Sequence, residues 1–248
     1  MYIGLIHMYR HLHSEMNAKY SNGVIDTQLA YSYDGRYWRR SLRKPFISGL
    51  KEENPEQINN YNLMWVCSML KEDEDKIRFY ASGSQLEHGP AFYNPGTGKM
   101  FIYEMRRDGF VSLATENPCE SSRLATREKV WHGGELHINL ICDKATVAVY
   151  VTDEDKMVSL NVLGSTRLLE GYGHDDCMPF SGDCIDWVPE FKSGKTIDEL
   201  KGKTIVFEIK FDNGEIFSLS GNYTDVFNTH AARYRRDGEL PKNKYMNS

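Results

Sequence analysis

Sixteen consecutive residues, Ile25-Asp26-Thr27-Gln28-Leu29-Ala30-Tyr31-Ser32-Tyr33-Asp34-Gly35-Arg36-Tyr37-Trp38-Arg39-Arg40, constrain this chain more than any other stretch. Asp34-Gly35 sits where a tight hairpin needs residues at positive φ, and Leu29, Tyr31 and Tyr33 alternate with smaller or polar residues at the period of a strand. The reading is two antiparallel strands joined at Asp34-Gly35 and closed by an aromatic residue.

The same pattern continues along the chain. Tyr2 to Tyr9 reads as a strand, residues 15–22 as a polar loop, and Pro45 to Gly49 closes the first hairpin. Residues 51–60 form a charged connection. Asn62 to Leu70 is an apolar strand whose return, Lys76 to Gly83, follows a charged turn, so the unit repeats. From Lys99 the character changes: Met100 to Glu104 and Phe110 to Leu113 flank a turn at Arg106 to Gly109. Glu135 to Cys142, Thr146 to Thr152 and Thr204 to Lys210 alternate as strands of an antiparallel sandwich. Thr196 to Lys203 holds at most one capped helical turn. The expected fold is all-β: two β-propeller-like blades in residues 1–90, a β-sandwich in residues 91–230 and a polar tail in residues 231–248.

Charge and cysteine usage narrow the function. A net charge of -5 argues against a nucleic-acid partner, and the clusters Arg39-Arg40 and Arg233 to Arg236 read as solvated surface charge. No apolar run is long enough to span a bilayer, so no membrane partner is expected. Met1 to Arg10 lacks a basic n-region and an unbroken apolar core, so it reads as a strand rather than a signal peptide. The cytoplasm is therefore the expected location. The five cysteines lack paired zinc spacing; Cys67 and Cys142 lie in apolar strand patterns and read as buried. Cys177 and Cys184 lie near His174, Asp175 and Asp176, but an odd cysteine total without a secretion signal favours reduced thiols. His11 and His13 lack a third ligand, so no metal and no cofactor is assigned.

Three groups of residues carry a resemblance. Asp26 to Gly35 followed by Trp38, Phe79 to Gly83 leading to His88, and Arg107 to Leu113 are similar, in that order, to bacterial proteins related to glycoside hydrolase family 32. Leu136 to Val151, Asp176 to Asp183 and Trp187 resemble the sandwich half of the same proteins, so the resemblance runs to about residue 220. In that family a five-bladed propeller carries the active site with a C-terminal sandwich beside it, and the resemblance implies that this chain corresponds to the last two blades and the sandwich. The family's Asn-Asp-Pro-Asn-Gly, Arg-Asp-Pro and Glu-Cys motifs, which hold its catalytic acids, have no counterpart here; Arg107-Asp108-Gly109 and the reversed Cys119-Glu120 are the nearest echoes. The expected function is a carbohydrate-active protein that is inactive alone and needs the missing blades from another chain; self-association is also expected, because two blades cut from a propeller expose an apolar flank. The alternative is a non-catalytic saccharide-binding or structural module.

Glycoside hydrolysis needs two carboxyl groups across the scissile bond, and no catalytic pair is assigned. Six residues stand out as candidates for saccharide contact. Asp26 either hydrogen-bonds sugar hydroxyls or caps a turn, the commoner role. Glu87 and His88 follow a strand end where a propeller loop meets ligand, or are an exposed loop pair. Tyr9 shares a strand face with His7 and either stacks on a sugar or packs between blades. Asp183 and Trp187 belong to the densest polar cluster, with His174 and Asp186. They either bind Ca²⁺ through oxygen ligands or a saccharide beside Trp187, or satisfy turn amides and the interface between the two parts, as junction acids usually do.

Overall fold

The computed structural model describes residues 2–11, 23–32, 34–40, 42–50, 60–71, 75–152 and 166–226. The loop expected at residues 15–22, His13, most of the connection at 51–60 and the tail from 231 lie outside them. The chain is nearly all β and divides into two units, Met1–Phe110 and Val111–Ser248. Among the described residues no helix is long and apolar enough to cross a membrane.

In the first unit, β1 (Tyr2–His11) and β2 (Gly23–Ser32) pair antiparallel along their whole length, from Tyr2↔Ser32 to His11↔Gly23. The other edge of β2 is shared by β3 (Pro45–Ile47) and by β4 (Leu63–Lys71), the latter through one parallel pair, Ile25↔Leu63. β5 (Lys76–Ser84) and β6 (Gly98–Arg106) complete a meander from β4. The two repeated units read from the sequence are thus continuous in one six-stranded sheet. Side chains close the seam where the backbone ladder stops. Thr27 Oγ1 donates to Met64 O (3.3 Å) and accepts from Val66 N (3.3 Å), while His7 Nε2 donates to Val66 O (3.1 Å). Buried backbone groups that leave a ladder need such partners.

The hairpin expected at Asp34-Gly35 is corrected in part. Gly35 has the required positive φ of 74°, but the return strand is a single bridge, Tyr31↔Arg39. Asp34 Oδ1 takes the amides of Arg36 (2.8 Å) and Tyr37 (2.9 Å), which are then lost to a ladder. The long partner of β2 is β1. Cys67 is also corrected: Met64 and Val66 are the residues of β4 that turn inward, and Cys67 is exposed, whereas Cys142 is buried as expected.

The boundary near residue 90 moves to Phe110. β6 pairs with β5 from Lys76↔Arg106 to Ser84↔Gly98, so it belongs to the first unit rather than to a hairpin with Phe110 to Leu113. Phe110 lies 6.1 Å from Phe46 and 6.3 Å from Phe79, ring centre to centre, beside a core of Ile47, Met64, Val66, Ile77, Phe79 and Ala81. A short helix, α1 (His88–Tyr93), stands where the sequence reads a loop.

The second unit is built on two long strands, β10 (His137–Thr152) and β13 (Thr204–Ser220), paired antiparallel. β7 (Leu113–Ala114), β8 (Ser121–Ala125) and β9 (Lys129–Trp131) add to the free edge of β13, and β14 (Tyr223–Asp225) adds to β9. β11 (Thr166–Leu168) and β12 (Phe180–Trp187) add to β10. The result is one antiparallel sheet of eight strands around a core that includes Trp131, Leu140, Val147, Phe207 and Ile209. Midway, Ile138, Leu140 and Cys142 give way to Ala145, Val147 and Val149 as the inward residues of β10; on β13, Ile216 gives way to Phe211. Both strands change parity together across Cys142↔Gly214 and Ala145↔Phe211, with Asn213 at φ 40° between them. The short turn Ile197–Leu200 matches the capped turn read from the sequence, with Glu199 Oε1 accepting from Thr196 N (3.0 Å).

Candidate ligand-binding site

Register places most of the candidates of the first unit at one end of its sheet. Tyr9, Ile25, Leu63, Ser84 and Gly98 form a row across five strands. Asn62 ties the ends together. Its carbonyl accepts from Ile25 N (2.9 Å), and its side-chain amide donates to Gln85 O (2.8 Å). Glu87 and His88 follow directly, at the start of α1.

Within this end the candidates divide between the two faces of the sheet. Tyr9 stands opposite Ile25, and its ring meets His88 at 5.4 Å and His11 at 5.4 Å, both edge-on. Asp26 stands opposite Met8 and so faces the other way, toward Arg10. Asp26 is 3% exposed; its Oδ2 accepts from Arg10 Nε (2.6 Å) and from the adjacent guanidinium nitrogen. Asp26 Oδ1 is buried with no hydrogen-bond partner, and so is Glu87 Oε2.

The capping role that the sequence favours for Asp26 is therefore not the one it has. Its carboxylate borders a small cleft of about 10 Å³ lined by Arg10, Val24, Ser48, Gly49, Tyr61 and Asn62 among others. The cleft is tight because Gly49 and Tyr61 pair backbone to backbone (2.8 Å), and a Cβ at Gly49 would lie 2.2 Å from Tyr61 O. It is far smaller than the sites of drug-sized ligands, and a single hydroxyl- or water-sized group is what it takes. An ionised carboxylate only accepts hydrogen bonds. With Oδ2 held by Arg10, the unused acceptor is Oδ1, buried next to the cleft.

In the second unit the β12 candidates separate. Asp183 stands opposite the exposed Ile141, whereas a bulge between Ile138 and Leu140 brings Trp187 opposite the fully buried Ile138. Trp187 stacks on Phe180 (5.1 Å) against the core, so much of its ring is spent on packing. The cluster that precedes β12 does structural work: Asp176 Oδ2 accepts from Gly173 N (2.9 Å), and the buried Cys177 Sγ accepts from Val147 N (3.3 Å). Burial pushes the Cys177 thiol pKa up.

His174 leads to a group that the sequence reading missed. Its Nε2 meets Glu208 Oε1 at 2.9 Å and its Nδ1 meets Thr146 Oγ1 at 3.0 Å, while Tyr150 Oη donates to Glu208 at 3.5 Å. Glu208 is 6% exposed, and burial, then its negative charge, push the Tyr150 pKa up. In the sequence Glu208 occupies an ordinary polar position of an alternating strand, with no signal of burial. Among the described residues no group of three or more His, Cys, Asp or Glu side chains is placed to hold a metal ion.

No family model, no curated protein and no solved structure matches the chain.

Proposed function

We propose that the chain is a saccharide-binding protein that holds sugar hydroxyls through the Asp26 cleft of its first unit and does not itself hydrolyse glycosides. The observation that carries this reading is the Asp26 carboxylate, buried at 3% exposure in a residue that lines the cleft, with one oxygen on Arg10 and the other buried without a partner. Leaving such a group unsatisfied costs about 1–3 kcal/mol, a cost that a bound hydroxyl donor removes. The saccharide class comes from the ordered motifs similar to family 32-like glycoside hydrolases, Asp26 to Gly35 among them. The absence of hydrolysis comes from the lack, in the same sequence, of the motifs that hold that family's acids.

Calorimetric titration with a panel of neutral oligosaccharides, alongside a reducing-sugar assay, tests the proposal. At least one neutral oligosaccharide binds, Asp26→Asn weakens it about tenfold, in line with loss of a charged hydrogen bond, and no sugar is released. Binding indifferent to Asp26→Asn removes the cleft from the reading. Turnover abolished by Asp26→Asn makes the chain a hydrolase instead.

A further inference from the structure

The opposite end of the same strand pair carries a different chemistry. Between Arg36 and Lys44 the sequence places five cations, Arg36, Arg39, Arg40, Arg43 and Lys44, in nine residues of a chain whose net charge is -5. Arg40 is engaged, donating to Gln28 Oε1 (2.9 Å). The other four are exposed and have no carboxylate partner among the described residues. The nearest acid in sequence, the exposed Asp34, accepts from the amides of Tyr37 and Arg36, which hold its pKa below the ordinary carboxylate value.

The part of this loop from Tyr31 to Arg39 is held by its own contacts. Ser32 Oγ accepts from Gly35 N (2.9 Å), and Tyr31 and Arg39 exchange two backbone hydrogen bonds of 2.9 Å. Trp38 Nε1 donates to Gly35 O (3.2 Å), and the Trp38 ring packs so closely on Gly4 that a Cβ there would lie 2.6 Å away. Tyr37 is 78% exposed. A fixed loop that presents free guanidinium groups beside an open ring loses little freedom on binding. Guanidinium forks match carboxylate and sulfate geometry.

We propose that Arg36, Tyr37, Arg39, Arg43 and Lys44 form a second binding site, for an acidic polysaccharide whose carboxylate or sulfate groups meet the cations and whose ring lies on Tyr37. The choice of saccharide rests on the reading given for the Asp26 cleft. Charge favours it over nucleic acid: a phosphate chain calls for a basic field across the domain, whereas here four free cations sit on one loop of an acidic chain. β2 separates the two sites, running from Gly23 beside the cleft to Ser32 beside the loop.

The test uses the full chain and fluorescently labelled hexagalacturonate, followed by anisotropy at about 50 mM salt and again at higher salt. The wild type binds, binding weakens as salt rises, and the variant Arg36→Ser/Arg39→Ser/Arg43→Ser binds about tenfold more weakly, as expected for losing three exposed ionic contacts. Tyr37→Ala, which removes only the ring, also weakens binding, and circular dichroism shows both variants folded. The triple variant keeps neutral-oligosaccharide binding at the Asp26 cleft, so either site can fail without the other. No binding of hexagalacturonate, or equal binding by the triple variant, overturns the proposal. Tighter binding of an oligothymidylate, or of phosphatidylserine vesicles, overturns it in favour of nucleic acid or a lipid surface.

Discussion

Replacing Thr27 with valine tests what joins β2 to β4. The side chain is fully buried, and its hydroxyl serves both Met64 O and Val66 N at 3.3 Å across a seam that has one backbone pair, Ile25↔Leu63. Valine keeps the shape and removes the hydroxyl, so packing is nearly conserved while two polar groups lose their partner. Two hydrogen bonds at about 1 kcal/mol net each, plus about 1–2 kcal/mol for an orphaned buried N–H, give a loss of about 3–4 kcal/mol. For the unit Met1–Phe110 that is a fall in Tm on the order of 10–20 °C. Urea denaturation measures the loss, and amide exchange locates it: Val66 N–H exchanges faster while the second unit is unchanged. Thr27→Ser, which keeps the hydroxyl and gives up a methyl, costs about 1 kcal/mol. A valine variant within about 0.5 kcal/mol of wild type, or less damaging than serine, refutes the stitching role.

Two further outcomes follow from the same structure. The loop amides depress the Asp34 pKa below 3.8. The stabilisation it brings is therefore present above that value and is lost as pH falls through the lower folded value. Arg36 and Tyr37 amide signals consequently shift together only below about pH 3.8, and loop signals unchanged in acid would contradict the assignment. Among the thiols, Cys67 and Cys119 are exposed, while burial first, and then Asp143 and Asp212, push Cys142 up to about 11. A thiol reagent at about pH 8 labels the first two in the folded protein and Cys142 only after unfolding; equal labelling rates for Cys67 and Cys142 would count against this difference in burial.

Alternation made the strands legible, because period two reports which residues share a face. It does not report who pairs with whom. Leu29 and Tyr31 mark β2, yet nothing in them says that its long partner is β1 rather than the segment after Gly35. Likewise Met100 to Glu104 reads correctly as a strand, while its pairing with β5 depends on contacts made after the chain passes through α1. Cys67 reads as buried because it lies in an unbroken apolar run, which does not show that Met64 and Val66 are the residues that turn inward. Asp26 and Glu208 expose the same limit from the functional side. An acid in an alternating strand looks like a solvated one, and only the tertiary structure places Arg10 and His174 against them.

The change of inward face shared by β10 and β13 makes the two strands interdependent in length. Their pairing keeps one register through Cys142↔Gly214, Lys144↔Asp212 and Ala145↔Phe211 while the inward residues change parity in both. Deleting one residue near Asp143 on β10 would leave Asn213 opposite the wrong neighbour and turn every apolar residue on one arm of β10 to the wrong side. Only a matched deletion on β13 would keep the arms aligned. Changes of chain length at this place should therefore be inherited as pairs, and the change of face acts as a ruler that sets the lengths of its two arms against each other.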